Sequence, residues 1–376
     1  MINTHQQIAD TKRWVIKIGS ALLTRVGEGL DFERVKWLSS EIAKLREQGK
    51  DVVLVTSGSV SAGMEQLGWT KRPHALHLLQ SAASVGQMGL IQAYSAACKE
   101  HEIHTAQILL THSDLSERGR YLNARSTLHS LLELGVLPVV NENDTIATEE
   151  IRFGDNDTLA AMTANLIEAD VLVILTDQDG LFDCDPRHNS QAQFITASAA
   201  SNSELDVMAG GSKGDLGQGG MATKLLAARR AGGSGATTVI LSGKKADNLQ
   251  RLANGETVGT LLWADNEPMT ARQQWLVGHL TPKGTITLDD DAVEAVHQGG
   301  KSVLAVGVQQ VHGQFVRGEL VTCHDMSGKE IARGLVNYNM DEARKIQGKA
   351  SKEIESVLGY VDEPELIHRD NLVVIK

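Results

Sequence analysis

Three short polar clusters offer most of the chemistry in this chain: Asn141-Glu142-Asn143-Asp144, Gly154-Asp155-Asn156-Asp157 and Thr176-Asp177-Gln178-Asp179-Gly180. Each follows or leads into an apolar run, so carboxamides and carboxylates gather where strands would end. Such a place provides hydrogen bonds and charge for something small and polar. Asn156 can hydrogen-bond a small substrate, while Asp155 and Asp157 are candidates to orient cations or a magnesium-bound water. The alternative for 154–157 is a plain tight turn, because glycine, aspartate and asparagine are turn formers.

Two lysines point to phosphate as the other reactant. Lys17 interrupts the apolar run Arg13-Trp-Val-Ile-Lys-Ile18 and is followed by Gly19-Ser20, small enough for a phosphate to reach backbone N–H groups. Otherwise it is a strand-end lysine reaching for water. Residues 210–224 form a glycine-dense loop that opens a helix through Leu225, Leu226 and Ala228, with Lys224 in its first turns. That arrangement aims backbone donors and the positive helix end at an anion. Its spacing is not that of a Walker loop, and a flexible linker is the alternative.

Phosphoryl transfer requires positive groups around the moving phosphate, a metal on the nucleotide oxygens and an in-line acceptor. Lys17 and Lys224 can supply the first. A carboxylate acceptor is already ionised at neutral pH and needs no general base. The 13 histidines show no His-Glu-x-x-His spacing.

The elements that must hold these residues alternate. A strand at 13–18 leads to an amphipathic helix at 31–48, with Val35, Leu38, Ile42 and Leu45 on one face, Asp31 as cap and Gly49 as stop. A second strand, Asp51 to Thr56, ends in Ser57-Gly58-Ser59; a helical stretch near 78–99 and apolar runs at 136–140, 170–175 and 238–241 follow. This alternation predicts an α/β fold with a mostly parallel open sheet sandwiched by helices. Ligands of such sheets sit beyond the carboxyl ends of strands, where all the polar clusters fall. After a change of pattern at 262–280, with a short bridging helix at Ala271 to Val277, runs at 284–288, 302–306, 320–322 and 330–336 predict a small β-rich domain. The expected division is 1–265, a linker at 266–280, a second domain at 281–360 and a C-terminal tail at 361–376.

Composition bounds the rest. With 376 residues, the chain is long for one ordinary core and fits a large domain plus a smaller one. Its net charge of −11 argues against a chain built to hold nucleic acid or an anionic membrane. Cys98, Cys184 and Cys323 lie far apart, suggesting neither a disulfide framework nor a thiolate zinc site, and a reducing cytoplasm is the simplest compartment. No apolar run is long enough to span a membrane.

On these residues the chain resembles the amino-acid kinase superfamily, in the branch that acts on glutamate. The resemblance rests on Val15-Ile-Lys-Ile-Gly-Ser20, Val55-Thr-Ser-Gly58, Tyr121 to Arg125, Pro138 to Asp144, Gly154 to Asp157, Leu175 to Gln178 and Gly219 to Lys224, spanning roughly residues 13–265. The remainder resembles a PUA domain. The resemblance implies an amino-acid kinase fold and ATP-dependent phosphorylation of the L-glutamate side-chain carboxylate to L-glutamyl 5-phosphate, the first step of proline synthesis. Lys17 and Lys224 would stabilise the γ-phosphoryl group, with Asp157 organising them. Ser57, Asp144 and Asn156 would hold glutamate, supported by Asn141. Lys17, Gly19, Ser20, Thr176, Asp177 and the segment Gly219, Gly220, Met221, Ala222, Thr223, Lys224 would serve ATP, whose oxygens would carry most of the Mg2+ coordination.

Proline as feedback inhibitor, glutamyl phosphate reductase as transient partner and a homo-oligomer are also implied. Ser59, Asp179 and Gln218 depart from the pattern, which more often has alanine, lysine and threonine there; Asp179 implies weaker nucleotide affinity. An acetylglutamate or carbamate kinase is the nearest rival, against which the two asparagine/aspartate motifs and the C-terminal domain count. An RNA-binding regulator is the rival from another class. Residues 281–360 carry nine Lys/Arg against eleven Asp/Glu, poor ground for phosphate contacts, although Arg344, Lys345, Lys349 and Lys352 cluster, on a solvated helix face or as a local patch.

Overall fold

The computed structural model describes residues 2–25, 29–111, 114–115, 117–146, 156–186, 189, 191–209, 220–264, 282–299 and 301–375. The chain divides into two compact units, residues 1–116 with 123–268, and residues 269–376 with 117–122. In the first unit the strands are β1 (Arg13–Ile18), β2 (Thr24–Arg25), β3 (Gly29–Leu30), β4 (Asp51–Val55), β5 (Thr105–Leu110) and β6 (Leu137–Glu142). They continue with β7 (Val171–Thr176), β8 (Leu181–Phe182), β9 (Phe194–Ile195), β10 (Ala197–Ala199), β11 (Thr237–Ser242) and β12 (Thr260–Trp263).

Eight of these form one sheet in the order β10-β12-β11-β7-β1-β4-β6-β5, while β2–β3 and β8–β9 are separate two-stranded ribbons. The six strands from β11 to β5 are mutually parallel; β12 runs antiparallel to β11. The sheet therefore has the predicted mostly parallel character, and its central strand β1 has β4 on one side and β7 on the other. Strand order reverses around β1, which opens a crevice at the carboxyl ends of these three strands.

Strand alternation decides which side chains face which layer. Trp14, Ile16 and Ile18 share a buried cluster with Val35, Leu38 and Ile42 of the helix Phe32–Glu47 and with Leu90 and Tyr94 of the helix Leu76–Lys99. Lys17, between Ile16 and Ile18, points the opposite way, toward the helix Asn156–Leu166. The 32–47 helix starts at its predicted cap, the Asp31 carboxylate accepting the Arg34 amide at 3.1 Å, and the chain leaves it through Gly49 at φ +81°.

The second unit is a five-stranded sheet of β13 (Gly284–Leu288), β14 (Val308–Gly313), β15 (Leu320–His324), β16 (Glu330–Leu335) and β17 (Leu372–Val374), in the order β14-β13-β15-β16-β17. Two expectations change here. Residues 302–306 form no strand; Val303 makes a single bridge to Ile367, and a 3-10 turn follows at Ala305–Gly307. Residues 361–376 are not a tail: Leu366 and Ile367 are fully buried and β17 pairs antiparallel with β16. The apolar residues of this last segment are too few and too irregularly spaced to announce a strand, and they become core only because the rest of the sheet leaves an edge for them. The predicted linker 266–280, with its bridging helix at 271–277, lies outside the described residues.

Candidate functional site

Lys17 is the penultimate residue of β1, paired in register with Val55 of β4 and Ile174 of β7. A buried ammonium there needs a counter-charge, and Asp157, in the first turn of the helix Asn156–Leu166, provides it through Oδ1. Its other oxygen, Oδ2, takes Lys224 Nζ at 3.2 Å and the Thr223 hydroxyl at 2.9 Å. Asp157 is completely buried. Burial alone would raise its pKa, but Lys17, Lys224 and the hydrogen bonds from Lys17 and Thr223 outweigh it and hold the carboxyl below the usual range. Two ammoniums some 200 residues apart in sequence thus meet on one carboxylate.

Thr223 and Lys224 come from the helix Met221–Gly232, which packs on the helix Asn156–Leu166 in the same layer. Gly220 caps its amino end in extended conformation, and its carbonyl, 2.7 Å from Thr223 Oγ1, shares that one hydroxyl hydrogen with Asp157. Met221 and Ala222 continue that first turn, which stands open to solvent at Gly220 and Ala222. Gly219, Gln218, Gly154 and Asp155 lie outside the described residues. Directly after β1, Gly19 precedes the short helix Ser20–Leu23, with the Lys17 ammonium beside it.

A second group lies at the ends of β4 and β6. The Asn156 amide nitrogen donates toward the Thr56 carbonyl, Ser57 Oγ at 3.0 Å and Asn141 Oδ1 at 2.9 Å. Asn141 in turn donates to Gln87 Oε1 at 2.7 Å. Asp144 accepts the Ser59 hydroxyl at 2.7 Å. Burial raises the Asp144 pKa, against the opposing pull of Ser59 and the nearby Arg72 charge. The structure therefore joins Ser57, Asn141 and Asn156 in one network, adjacent in sequence to Asp157, and places Asp144 beside the same β4 loop.

That loop is shaped by three glycines. Gly58 at φ +105° turns the chain out of β4 into the helix Ser59–Gln66. Gly63 and Gly86 then allow this helix to touch the helix Leu76–Lys99: a Cβ on Gly63 would lie 1.7 Å from the Ala82 carbonyl oxygen, and one on Gly86 would lie 2.0 Å from that of Ser59.

Thr176 and Asp177 sit at the end of β7, the Thr176 hydroxyl 3.3 Å from Asp177 Oδ1. Four participants escaped the sequence reading as site residues. Gln87 lies in an alanine- and serine-rich helix whose sequence carries no sign of the site. Ser59 appeared at the end of a strand and as a departure from a pattern, with no role assigned. Lys244 and Lys245, at 3.9 Å from Asp177 and 2.8 Å from Asp179 respectively, come from the turn after β11, and only the β7–β11 pairing brings them near.

The parallel sheet, the reversal at β1 and the lysine–carboxylate–lysine centre define a class: the chain belongs to the amino acid kinase family, whose model matches residues 12–242. The model of the PUA domain matches residues 284–358. Over its full length the chain is similar to proteins named glutamate 5-kinase. It is 61% identical to that of Nitrosococcus oceani over 375 residues, covering 100% of both chains. Identity is 59% to that of Nitrosospira multiformis, covering 98% of this chain and 99% of the relative, and 59% to that of Thioalkalivibrio sulfidiphilus, covering 100% of both.

Proposed function

We propose that the chain transfers the γ-phosphoryl group of ATP to the side-chain carboxylate of L-glutamate, giving ADP and L-glutamyl 5-phosphate, the first step of proline biosynthesis. The observation that carries this reading is the pair of ammoniums, Lys17 and Lys224, held on Asp157 next to the Asn156–Ser57–Asn141 network. One side of Asp157 offers positive charge to a phosphate, and the residue before it offers amide and hydroxyl groups to an amino acid.

In the reaction a glutamate side-chain oxygen forms a bond to γ-phosphorus as the bond from phosphorus to the β,γ-bridging oxygen breaks, and ADP leaves with that electron pair. Negative charge spreads over the three equatorial oxygens, where Lys17 and Lys224 stabilise it. Asp157 holds both ammoniums and aims them. Asp144 takes the glutamate ammonium, while Ser57 and Asn156, oriented by Asn141, hold the substrate. Gly19, Ser20, Thr176, Asp177 and the segment from Gly219 to Lys224 receive the nucleotide, with the open amino end of the 221–232 helix facing its phosphates. Magnesium arrives bound to ATP, its charge offsetting that of the phosphate oxygens.

Proline competes at the glutamate pocket, glutamyl phosphate reductase takes the labile product, and the enzyme works as a homo-oligomer in the cytoplasm. The kinase domain spans 1–265, and the PUA domain runs from 281 through β17. Among the described residues no helix is long and apolar enough to cross a membrane.

The test is ADP release with glutamate and Mg-ATP, together with trapping of the acyl phosphate by hydroxylamine. Lys224→Ala lowers turnover far more than it raises the glutamate KM, because its charge matters most as phosphoryl charge redistributes. Phosphorylation of aspartate, carbamate or UMP with glutamate inert would overturn the reading.

A further inference from the structure

The turn after β11 carries two lysines that the reading above does not use. Its backbone is fixed on several sides. Gly243 N donates to the Thr176 carbonyl at 2.9 Å, Arg34 Nη1 donates to the Gly243 carbonyl at 2.9 Å, and Trp37 Nε1 donates to the Ala246 carbonyl at 3.1 Å. A Cβ at Gly243 would lie 2.5 Å from Leu22 Cδ1, so the turn packs closely on the segment that follows Gly19-Ser20. It therefore lies against both the end of β7 and the short helix after β1, the two segments assigned to the nucleotide. The side chains on this clamped backbone stay more than half exposed: 59% for Lys244 and 56% for Lys245.

Their present partners are weak ones. Lys244 is 3.9 Å from Asp177 and Lys245 is 2.8 Å from Asp179, both carboxylates being about as exposed as the lysines. Exposed pairs of this kind contribute little and exchange readily for a stronger anion. Charge at the rim favours such an exchange. Lys17 and Lys224 already share Asp157, and Asp177 and Asp179 add two carboxylates after β7; Lys244 and Lys245, with Arg34 bonded to the same turn, set positive charge against them in a chain of net charge −11. That charge favours the approach of a nucleoside triphosphate.

We propose that Lys244 and Lys245 are nucleotide-binding residues, which Asp177 and Asp179 hold at the rim until the phosphate oxygens of the nucleotide take them over. The proposal rests on the kinase reading for the place of the nucleotide, but its test does not depend on glutamate. Mg-ADP is titrated into the full-length protein by calorimetry at two salt concentrations, for wild type, Lys244→Gln, Lys245→Gln, the double variant and Asp179→Asn.

Each lysine variant should weaken Mg-ADP roughly ten-fold and the double variant more, with a shallower dependence on salt. Asp179→Asn should tighten Mg-ADP, because Lys245 no longer has a competing partner. If the Lys245–Asp179 pair only braced the turn, Lys245→Gln and Asp179→Asn would both weaken binding, and that outcome overturns the proposal. So do unchanged Mg-ADP affinity in the double variant and absence of Mg-ADP binding in wild type. A wild type that binds Mg-ADP but leaves glutamate unphosphorylated would defeat the glutamate reading and leave the lysines to be judged by the titration.

Discussion

Asp157→Asn removes the charge at the centre of the site. Asparagine keeps the shape of the side chain and, with its carbonyl oxygen toward Thr223, an acceptor for that hydroxyl; it loses the negative charge that both ammoniums share and turns an NH2 donor toward Lys17 in place of Oδ1. Two ammoniums on opposite oxygens of one carboxylate stand roughly 5 Å apart. At an effective dielectric constant of about 20 they repel by about 3 kcal/mol once that carboxylate is neutral. This agrees with the ~3–5 kcal/mol lost when one partner of a buried ion pair is removed. For a domain of this size each kcal/mol moves the midpoint by about 2–4 °C, so thermal unfolding should fall by on the order of 10 °C.

Nucleotide reverses part of the loss, since phosphate oxygens supply the missing negative charge. Mg-ADP should therefore raise the Tm of the variant more than that of wild type. Turnover should nonetheless drop by roughly 10²–10³, because ammoniums no longer held in place are not aimed at the charge that develops during transfer. Differential scanning fluorimetry with and without Mg-ADP, combined with the hydroxamate assay, checks all three. A midpoint within a degree of wild type, with the same rise on Mg-ADP, refutes the shared-counterion argument.

The same carboxylate sets a pH signature: its pKa is depressed in the folded protein, so its stabilisation is complete above the unfolded value of about 3.9 and disappears as pH falls through the folded value. The Tm gap between wild type and Asp157→Asn should stay constant from pH 7 to about 4 and close below it. Asn156→Ala removes the amide that ties Thr56, Ser57 and Asn141 together, and should raise the glutamate KM at least ten-fold, on the order of 1.4 kcal/mol, with a smaller effect on kcat in steady-state kinetics. Gly86→Ala drives a methyl group into the Ser59 carbonyl, and should cost about 3 kcal/mol or more in denaturant unfolding while weakening glutamate, since the 59–66 helix carries the loop that presents Ser57. Truncation after residue 360 exposes the cavity left by Leu366, Ile367 and Leu372, each worth about 1.5–3 kcal/mol, so limited proteolysis should cut the second unit rapidly. A truncated chain as resistant as the full one would show that β17 is dispensable.

Much of the first unit was legible because its signals are local. A lysine inside an apolar run, a capped amphipathic helix at 32–47 and polar clusters at the ends of apolar runs are properties of neighbouring residues, and alternating strands and helices imply parallel pairing. The strands β10 and β14 went unread because their sequences lack strong alternation or a continuous apolar run, and β5 and β12 because their apolar runs of three or four residues are too short to mark a strand without the neighbours they pair with. The second unit shows the same effect in β17, where burial of Leu366 and Ile367 precedes a three-residue strand no periodicity announces.

By itself, the sequence determined the inventory: which residues can carry charge, where strands end, and that their chemistry suits phosphate and a carboxylic acid. The tertiary structure decided the partnerships. Residue 157 sits between lysines 140 and 67 positions away, Gln87 backs Asn141, and Lys245 reaches Asp179, because the parallel sheet and the helices packed on it bring distant segments to one rim. Sequence distance carries no information about such meetings; burial does, since an ammonium withdrawn from water is stable only where another part of the chain brings it a counter-charge.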